Sequence, residues 1–378
     1  MKSAADADWP EGLSYAMDGM RVSVSCPVLI GRSRDYLWFP NIAELASGEL
    51  IANAQPYSDL SVPATRCTVF RSTDGGLSWR EEGDVPAFGW VSITLPNDDH
   101  LRLPYYRYAG SDGRTHPYNI IRADTGAIEH FDCGLNVTGW PREEGVTADP
   151  KLGLAGFSFT GDTVVMNDGR YLCTLYGTFK GDERRSVVCA ASEDGRTWRV
   201  RSVIAEAKDE PQGWEGPNEA ALCRLADGRL LCVLRLEGYM NFVCAFSEDD
   251  GLTWSSLEKV NDAWAVQPSL DVLEDGSVLL SGGRPGIHVW IDREGTFERR
   301  QRIDIRQHHN ALVHDEPIAW TECEDDWATS RTSSYTELIT IGPRAALMVY
   351  DRLPNGWEAL PSGSEDTWSV WVVRIDIE

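Results

Sequence analysis

The chain has 378 residues, of which 42% are hydrophobic and 25% charged, so its composition is that of a globular protein. Its formal net charge of −24 argues against nucleic acid or an anionic membrane surface as a partner, because no positive field offsets phosphate repulsion. No apolar run approaches the roughly 18 residues of a membrane span, and the N-terminus lacks an apolar signal core, so we expect a cytoplasmic protein unless a signal peptide was removed.

The nine cysteines do not predict a disulfide framework. They are odd in number and irregular in spacing, and five of them sit inside apolar runs: Cys173, Cys189, Cys223, Cys232 and Cys244. We expect these five to be small buried side chains in a reducing compartment. No Cys-x-x-Cys pair is present, so a zinc site has no support, and no other metal or cofactor is implied.

Taken in chain order, residues 1–20 are polar and are expected to be irregular. From residue 21 to 378 the chain consists of short apolar or alternating runs cut by Gly, Pro, Asp and Asn, with almost no helical periodicity. No linker-like stretch interrupts this pattern. We therefore predict a single all-β domain over 21–378.

One phrase recurs along this domain, a turn followed by a strongly apolar strand. It stands at 47–52, 97–102, 168–173, 227–232, 275–280 and 342–350, the second and last being looser. The spacing of about 48 to 70 residues suits a four-stranded blade plus a loop. The last strand, in 368–376, alternates and could pair with N-terminal material. The prediction is a six-bladed β-propeller.

A second phrase, Ser-x-Asp-x-Gly-x-Ser/Thr-Trp, follows the first within its unit. It occurs at 72–79 and 247–254, with one residue missing at 192–198 and in decayed form at 291–297. The Asp can accept backbone N–H bonds, the Gly can take a positive φ and the Trp can pack onto its own sheet. We expect this turn to join the third and fourth strands of a unit.

Six units carrying such turns resemble the sialidase (neuraminidase) superfamily, whose Asp-box or BNR repeats have this form. The resemblance covers nearly the whole chain. In that family these turns lie on the rim away from the active site, so the resemblance implies a structural role for them here. Function has to be argued from other positions.

The resemblance assigns five such positions. Glu219, before a strand of the fourth unit, would activate the nucleophile, and Arg235, at the end of the next strand, would clamp a substrate carboxylate. Arg284 takes the place of a second clamp in the fifth unit. In the sixth, Tyr335 lies in a segment that resembles the one carrying the nucleophilic tyrosine, and Asp59 lies about where the acid/base aspartate of the first unit belongs.

These assignments form one mechanism. A phenol with a pKa of about 10 needs a base to attack, and Glu219 would serve. Tyrosine nucleophiles are the sialidase exception among glycosidases, and a neutral nucleophile suits a substrate whose anomeric carbon bears a carboxylate. Asp59 would protonate the leaving oxygen and then activate water.

The first-unit signature departs from the family. Tyr/Phe-Arg-Ile-Pro reads Leu37-Trp-Phe-Pro here, so Trp38 stands where the central Arg of a three-Arg cluster is expected. The Glu that supports this Arg aligns with Asp351. An indole does not replace a bidentate Arg–carboxylate pair, although Trp38 could stack on a sugar face. The resemblance thus implies a related glycoside-processing site without strict sialidase activity.

Residues 307–310 contain adjacent histidines in an expected loop. His309 and Asn310 could join a pocket as acid/base or sugar-binding groups, although surface loops hold such pairs too.

The leading hypothesis is an exo-acting glycoside hydrolase that takes an acidic sugar or a related glycan. A catalytically silent propeller that binds glycan or protein is the alternative, favoured by loss of the signature Arg. A further alternative is a polysaccharide lyase in which His309 and a tyrosine abstract a proton beside a uronate. The oligomeric state does not follow from the sequence.

Overall fold

The computed structural model describes residues 3–17, 19–58, 66–105, 107–108 (backbone), 115–143, 156–206, 208–209, 215–236, 240–293, 296–297, 300–319 and 332–378. These residues form 27 strands, numbered β1 to β27 in chain order, and one short helix, α1. The all-β class predicted from the short alternating runs is therefore correct. In the described part of the chain, no helix has the length and apolar character needed to cross a membrane.

The chain divides into two compact units. Unit 1 comprises Met1–Ser61, Arg66–Val85 and Ser269–Glu378, and unit 2 comprises Val62–Thr65 and Pro86–Pro268. The prediction of a single domain over 21–378 stays a prediction.

A six-stranded sheet in unit 1 joins the two ends of the chain. Its strands run in the order β1-β2-β27-β26-β25, and β3 also pairs with β27. Their bounds are β1 Leu13–Met17, β2 Met20–Val24, β3 Val28–Ser33, β25 Thr336–Gly342, β26 Ala345–Arg352 and β27 Trp368–Ile377. The C-terminal strand thus pairs with N-terminal strands, as its alternation predicts.

The prediction that residues 1–20 are irregular is wrong for Leu13–Met17. This segment pairs in antiparallel register with β2. Its alternation places Tyr15 and Met17 against the hydrophobic core of unit 1. Further upstream, residues 3–9 fold over the turn at 72–79, because the hydrogen of Gly75 that a Cβ would replace faces Ala7 and Ser3.

Two four-stranded antiparallel sheets complete unit 1. The first has the order β4-β5-β6-β7, with bounds Trp38–Glu44, Leu50–Gln55, Arg66–Ser72 and Arg80–Pro86. The second has the order β21-β22-β23-β24, with bounds Val266–Val272, Val278–Gly283, Ile287–Asp292 and Gln301–Asp304; it lies in unit 1 from Ser269 onward.

Helix α1, Ile305–Leu312, follows β24 directly. The loop expected at 307–310 is therefore wrong. Asp304 caps the helix, since its side chain accepts a hydrogen bond of 2.9 Å from the backbone N–H of Gln307.

Unit 2 contains a nine-stranded sheet in the order β10-β13-β14-β15-β16-β12-β11-β9-β8 and a four-stranded sheet in the order β17-β18-β19-β20. The bounds of the first are β8 Val91–Thr94, β9 His100–Leu103, β10 Arg107–Tyr108, β11 His116–Ile121, β12 Ile128–Thr138, β13 Phe157–Val165, β14 Tyr171–Gly177, β15 Ser186–Ser192 and β16 Thr197–Ala205. Those of the second are Ala220–Arg224, Leu230–Leu234, Val243–Ser247 and Glu258–Lys259. A parallel pairing of β12 with β16 is what joins the nine strands, so the described strands make five sheets where six blades are predicted.

Each copy of the repeated apolar phrase forms a strand that is buried along its whole length. These strands are β5, β9, β14, β18, β22 and β26. A strand paired on both edges and covered on both faces needs a near-continuous apolar run, which is the pattern that the sequence repeats. The five cysteines predicted to be buried are buried free thiols, and three of them lie on β14 and β18 or beside them on β15.

The second phrase forms the turn between the third and fourth strands, as predicted. At 72–79, Asp74 Oδ1 accepts bonds from Ser72 Oγ (2.8 Å) and the backbone N–H of Ser78 (3.0 Å), and Trp79 Nε1 donates to the Gly76 carbonyl at 3.1 Å. The turns at 192–198 and 247–254 share the aspartate bonds. The copy at 291–297 includes residues outside the described ranges.

Candidate functional site

In unit 1 the buried Asp351 carboxylate organises the surroundings of Tyr335. Asp351 lies on β26 and is 0% exposed. Its Oδ1 accepts a 2.6 Å bond from the backbone N–H of Ser334, and its Oδ2 accepts from the Ser334 hydroxyl and, at 2.9 Å, from the backbone N–H of Phe39. Burial raises the pKa of the Asp351 carboxyl to about 6, although the bonds from Ser334 and Phe39 act in the opposite direction.

Phe39 is held in an unfavourable backbone conformation where the family signature is expected. Its φ is 52°, in the left-handed region that a bulky residue rarely adopts, and the register of β4 with β5 shifts between Trp38 and Asn41. The Phe39 N–H is bonded by both Asp351 and the Ser334 hydroxyl. Asp351 thus supports the signature segment as the alignment suggests, but through the backbone at Phe39 instead of through an arginine.

Trp38 does not offer a face to a sugar. It is 0% exposed, its Nε1 donates to the Tyr57 carbonyl at 2.8 Å, and the rings of Tyr36, Trp357 and Trp368 surround it at centroid distances of 5.1 to 5.2 Å. The expected sugar-stacking role is therefore corrected to a packing role. An indole in this aromatic cluster is stabilised by the apolar surface that it buries.

Tyr335 is presented by a rigid segment. It is the one side chain of residues 332–338 that is not buried. Its ring meets Phe39 edge to face at 4.6 Å, and its neighbour Ser334 is fixed by Asp351. Because this segment is fixed, the Tyr335 hydroxyl loses little conformational entropy when it adopts the geometry for reaction.

Arg284 lies beside the same segment. A Cβ on the preceding Gly283 would stand 2.3 Å from Ser333 Oγ, so the two segments approach closely, and the backbone N–H of Gly286 donates to Thr332 Oγ1 at 3.2 Å. Arg284 is 3% exposed, and its guanidinium lies 4.5 Å from the centroid of Trp357. Since Trp357 and Tyr335 both contact Phe39, the structure brings Arg284 and Tyr335 to one ring cluster.

His309 and Asn310 have structural roles instead of the expected site roles. His309 is 0% exposed; its Nδ1 pairs with the Tyr350 hydroxyl and its Nε2 with the Glu316 carbonyl, both at 2.9 Å. The Asn310 side chain bonds both backbone groups of Ile318. Burial lowers the pKa of His309 to about 4. With both nitrogens engaged, His309 is not available as the base of a lyase.

In unit 2, Glu219 and Arg235 form a buried ion pair at adjoining strand ends. Glu219 precedes β17 and Arg235 follows β18, and the antiparallel pairing of these strands sets the two residues opposite each other. Arg235 Nη1 lies 2.7 Å from Glu219 Oε2, which also accepts a 2.9 Å bond from the backbone N–H of Gln267. Glu219 and Arg235 are 5% and 8% exposed.

Sequence reasoning missed the group that continues this pair. Glu215 Oε2 lies 3.6 Å from Arg235 Nη2, 3.1 Å from Arg185 Nη1 and 2.7 Å from Asn218 Nδ2. Arg185 in turn lies over the ring of Tyr176 at 5.7 Å. No sequence motif marks Glu215 as part of this group.

Asp59 also lies outside the described residues, so its expected acid/base role stays a prediction. Within the described ranges, no group of three or more His, Cys, Asp and Glu side chains is arranged to hold a metal ion.

Comparison with known families decides the membership of the chain. The family described as a BNR repeat-like domain matches residues 134–341, more than half of the sequence. This chain belongs to the BNR repeat-like family. The BNR-repeat resemblance inferred from the repeated turns is thereby confirmed, and sialidases are among the solved structures of similar fold.

Several solved structures are similar to this BNR repeat-like protein. A protein of unknown function from Dyadobacter fermentans has 18% identity and a TM-score of 0.66, with 94% of this chain and 99% of the other covered. A Penicillium chrysogenum α-L-arabinanase, solved with arabinobiose, has 16% identity and a TM-score of 0.58, with 93% and 98% covered. The Trypanosoma rangeli sialidase has 14% identity and a TM-score of 0.54, with 92% and 57% covered. Such identities establish a shared fold, and no curated protein matches the chain.

Proposed function

We propose that this protein is an exo-acting glycoside hydrolase of sialidase type that is not a strict sialidase. The observation that carries the proposal is Tyr335, the one side chain of a buried, hydrogen-bonded segment that is not itself buried. A nucleophile needs access and a fixed position, and a packing tyrosine needs neither. The glycoside hydrolases among the similar structures support a glycan as the substrate.

We further propose that the fold is a six-bladed propeller. The nine-stranded sheet then counts as two blades, β8, β9, β11 and β12 on one side and β13 to β16 on the other. Support comes from the pairing that joins them, which is parallel and spans only residues 136–138 of β12, whereas the remaining pairings of the sheet are antiparallel. Each half also contains one of the six fully buried phrase strands.

The proposed reaction has two displacements. The Tyr335 hydroxyl oxygen bonds to the anomeric carbon as the glycosidic C–O bond breaks; Glu219 takes the phenol proton and Asp59 gives a proton to the leaving oxygen. Asp59 then removes a proton from water, whose oxygen displaces the tyrosine, and the phenol regains its proton from Glu219.

The test is hydrolysis of a panel of neutral and acidic aryl glycosides by the wild type and by Tyr335→Phe. We expect turnover of at least one glycoside and a loss of at least about a hundredfold in kcat in the variant. Tyr118→Phe is the matched control, because Tyr118 packs on Phe131 within unit 2. Turnover by Tyr335→Phe equal to that of the wild type would overturn the assignment.

One observation favours a second candidate function, a glycan-binding propeller without catalysis. Trp38 is buried in an aromatic cluster at the position where the resemblance to sialidases predicts a central Arg. Binding to a glycan array with no hydrolysis of the bound glycan would decide for this candidate, and measurable turnover would decide against it.

A further inference from the structure

The resemblance assigns positions 38, 235 and 284 to binding of a substrate carboxylate. In the structure each of these side chains is buried among other groups of the protein. Position 38 carries no cation, since it is a tryptophan with 0% exposure. The remaining two are Arg235 and Arg284, the cations that the resemblance assigns to a substrate carboxylate.

Arg235 is already matched by carboxylates. Glu219 lies 2.7 Å from one of its nitrogens and Glu215 3.6 Å from another. Glu215 is shared with Arg185 at 3.1 Å, so two guanidiniums face two carboxylates. A substrate carboxylate brought to Arg235 would meet a balanced group and would be repelled by Glu215 and Glu219 at short range.

Arg284 is engaged in a different way. It is 3% exposed, and its guanidinium stacks on Trp357 at 4.5 Å. Bidentate binding of a carboxylate needs access to the edge of the guanidinium, and at 3% exposure the protein covers this side chain.

We infer that the sugar unit this protein holds is neutral, because the arginines expected to bind a carboxylate are neutralised or packed within the chain. The inference rests on the proposed function and proposes a neutral sugar in place of the acidic sugar expected from the resemblance. In unit 1, the partly exposed rings of Tyr335 and Trp357, which both contact Phe39, can pack on the apolar face of a neutral sugar.

The test compares ligands that differ only in a carboxylate. 4-Nitrophenyl glucosides and galactosides are paired with the corresponding glucuronides and galacturonides, and N-acetylneuraminic acid is added. Binding is measured by calorimetry and by the shift in Tm, at low and high salt. We expect at least one neutral member to bind the wild type with little sensitivity to salt, and no acidic member to bind. Salt-sensitive binding of an acidic member to the wild type would overturn the inference. Failure of every neutral member to bind would also count against the inference.

If the inference is correct, a variant at Glu215 should gain affinity for acidic sugars. Glu215→Gln keeps an acceptor for Asn218 but releases charge on Arg185 and Arg235, so affinity for the uronides should rise by about tenfold or more at low salt. Glu206→Gln is the control, because Glu206 also pairs with an arginine, Arg142 at 2.8 Å, in the same unit. A Glu215→Gln protein that is folded by circular dichroism and gains no affinity for uronides would contradict the role given to Glu215.

These results separate the inference from the proposed function. Binding of neutral glycosides without hydrolysis leaves the inference standing and removes the hydrolase proposal. Hydrolysis of a uronide or sialoside that depends on Tyr335 does the reverse.

Discussion

The backbone N–H of Phe39 and the carboxylate of Asp351 are joined by a 2.9 Å hydrogen bond across 312 residues of sequence. The same carboxylate binds Ser334, next to Tyr335. One buried group therefore fixes both the segment that replaces the family signature and the segment that carries the proposed nucleophile. The resemblance to sialidases implies that this carboxylate supports an arginine, whereas in this chain it accepts a bond from the backbone N–H of Phe39.

Removal of the Asp351 carboxylate should destabilise the protein. Asp351→Ala leaves the N–H groups of Phe39 and Ser334 buried without this acceptor, and we expect the free energy of unfolding to fall by about 2–4 kcal/mol. Denaturant unfolding measures it. Asp376→Ala is the control, because Asp376 makes a partly exposed ion pair with Arg374 and should cost less than about 1 kcal/mol. Equal losses in the two variants would contradict the role of Asp351.

The raised pKa of Asp351 predicts a dependence of stability on pH with a definite sign. The folded carboxyl has a pKa of about 6, above its ordinary value of 3.8, so between these values the folded state binds more protons than the unfolded state. The contribution of Asp351 to stability is thus greatest below about pH 4 and declines as the pH rises to about 6, by roughly 3 kcal/mol. The difference in unfolding free energy between the wild type and Asp351→Asn, followed over this range, isolates this group. A flat difference would show that the carboxyl titrates normally.

The Glu219–Arg235 pair should behave as a buried unit. Arg235→Met leaves the Glu219 charge buried beside Glu215, and we expect a loss of about 3–5 kcal/mol in unfolding free energy. Glu219→Gln with Arg235→Met should recover most of it, because the uncompensated charge is gone. Arg142→Met, which removes a cation that is 43% exposed, should cost less than about 1 kcal/mol. Additive losses in the double variant would show that the two charges are independent.

Kinetics on any glycoside that is turned over should show that Tyr335 and Glu219 serve one step. Tyr335→Phe and Glu219→Gln should each lower kcat by about a hundredfold or more, and the double variant should be no worse than the poorer single variant. Multiplied losses would mean that the residues act in separate steps, and the base for Tyr335 would have to be sought elsewhere.

A glycine pair tests the packing of residues 3–9 on the turn at 72–79. Gly75 and Gly83 have φ of 76° and 95°, so alanine is strained at both, by about 1 kcal/mol. A Cβ at Gly75 would also stand 2.6 Å from the Ala7 Cβ, whereas none of the surroundings lies within 4 Å of a Cβ at Gly83. Gly75→Ala should therefore lower Tm further than Gly83→Ala. Equal shifts in Tm would place residues 3–9 away from the turn.

Periodic features could be predicted from the sequence because their causes are local. The repeated apolar phrase predicts a strand that is buried on both faces, and β14 and β18 are buried at every residue. The turn of Asp74 is closed by bonds within four residues. The sequence placed Glu219 and Arg235 at the ends of neighbouring strands, but it did not predict that they form an ion pair.

The remaining features depend on partners that are distant in sequence. The sequence suggests a sugar-stacking role for Trp38 because the residues near it in sequence do not show that Trp357 and Trp368 cover its ring. His309 looked like a catalytic group because its partner Tyr350 lies 41 residues away. The count of carboxylates around Arg235 likewise required the fold, because Glu215 has no motif of its own.

The most direct test of the proposed mechanism is a search for glycosyl-Tyr335. A fluorinated analogue of whichever aryl glycoside is hydrolysed slows the second displacement, and intact mass followed by peptide mapping locates the adduct. We expect one glycosyl unit per chain, carried on Tyr335 and absent from Tyr335→Phe. Hydrolysis with the adduct on another residue would contradict the account.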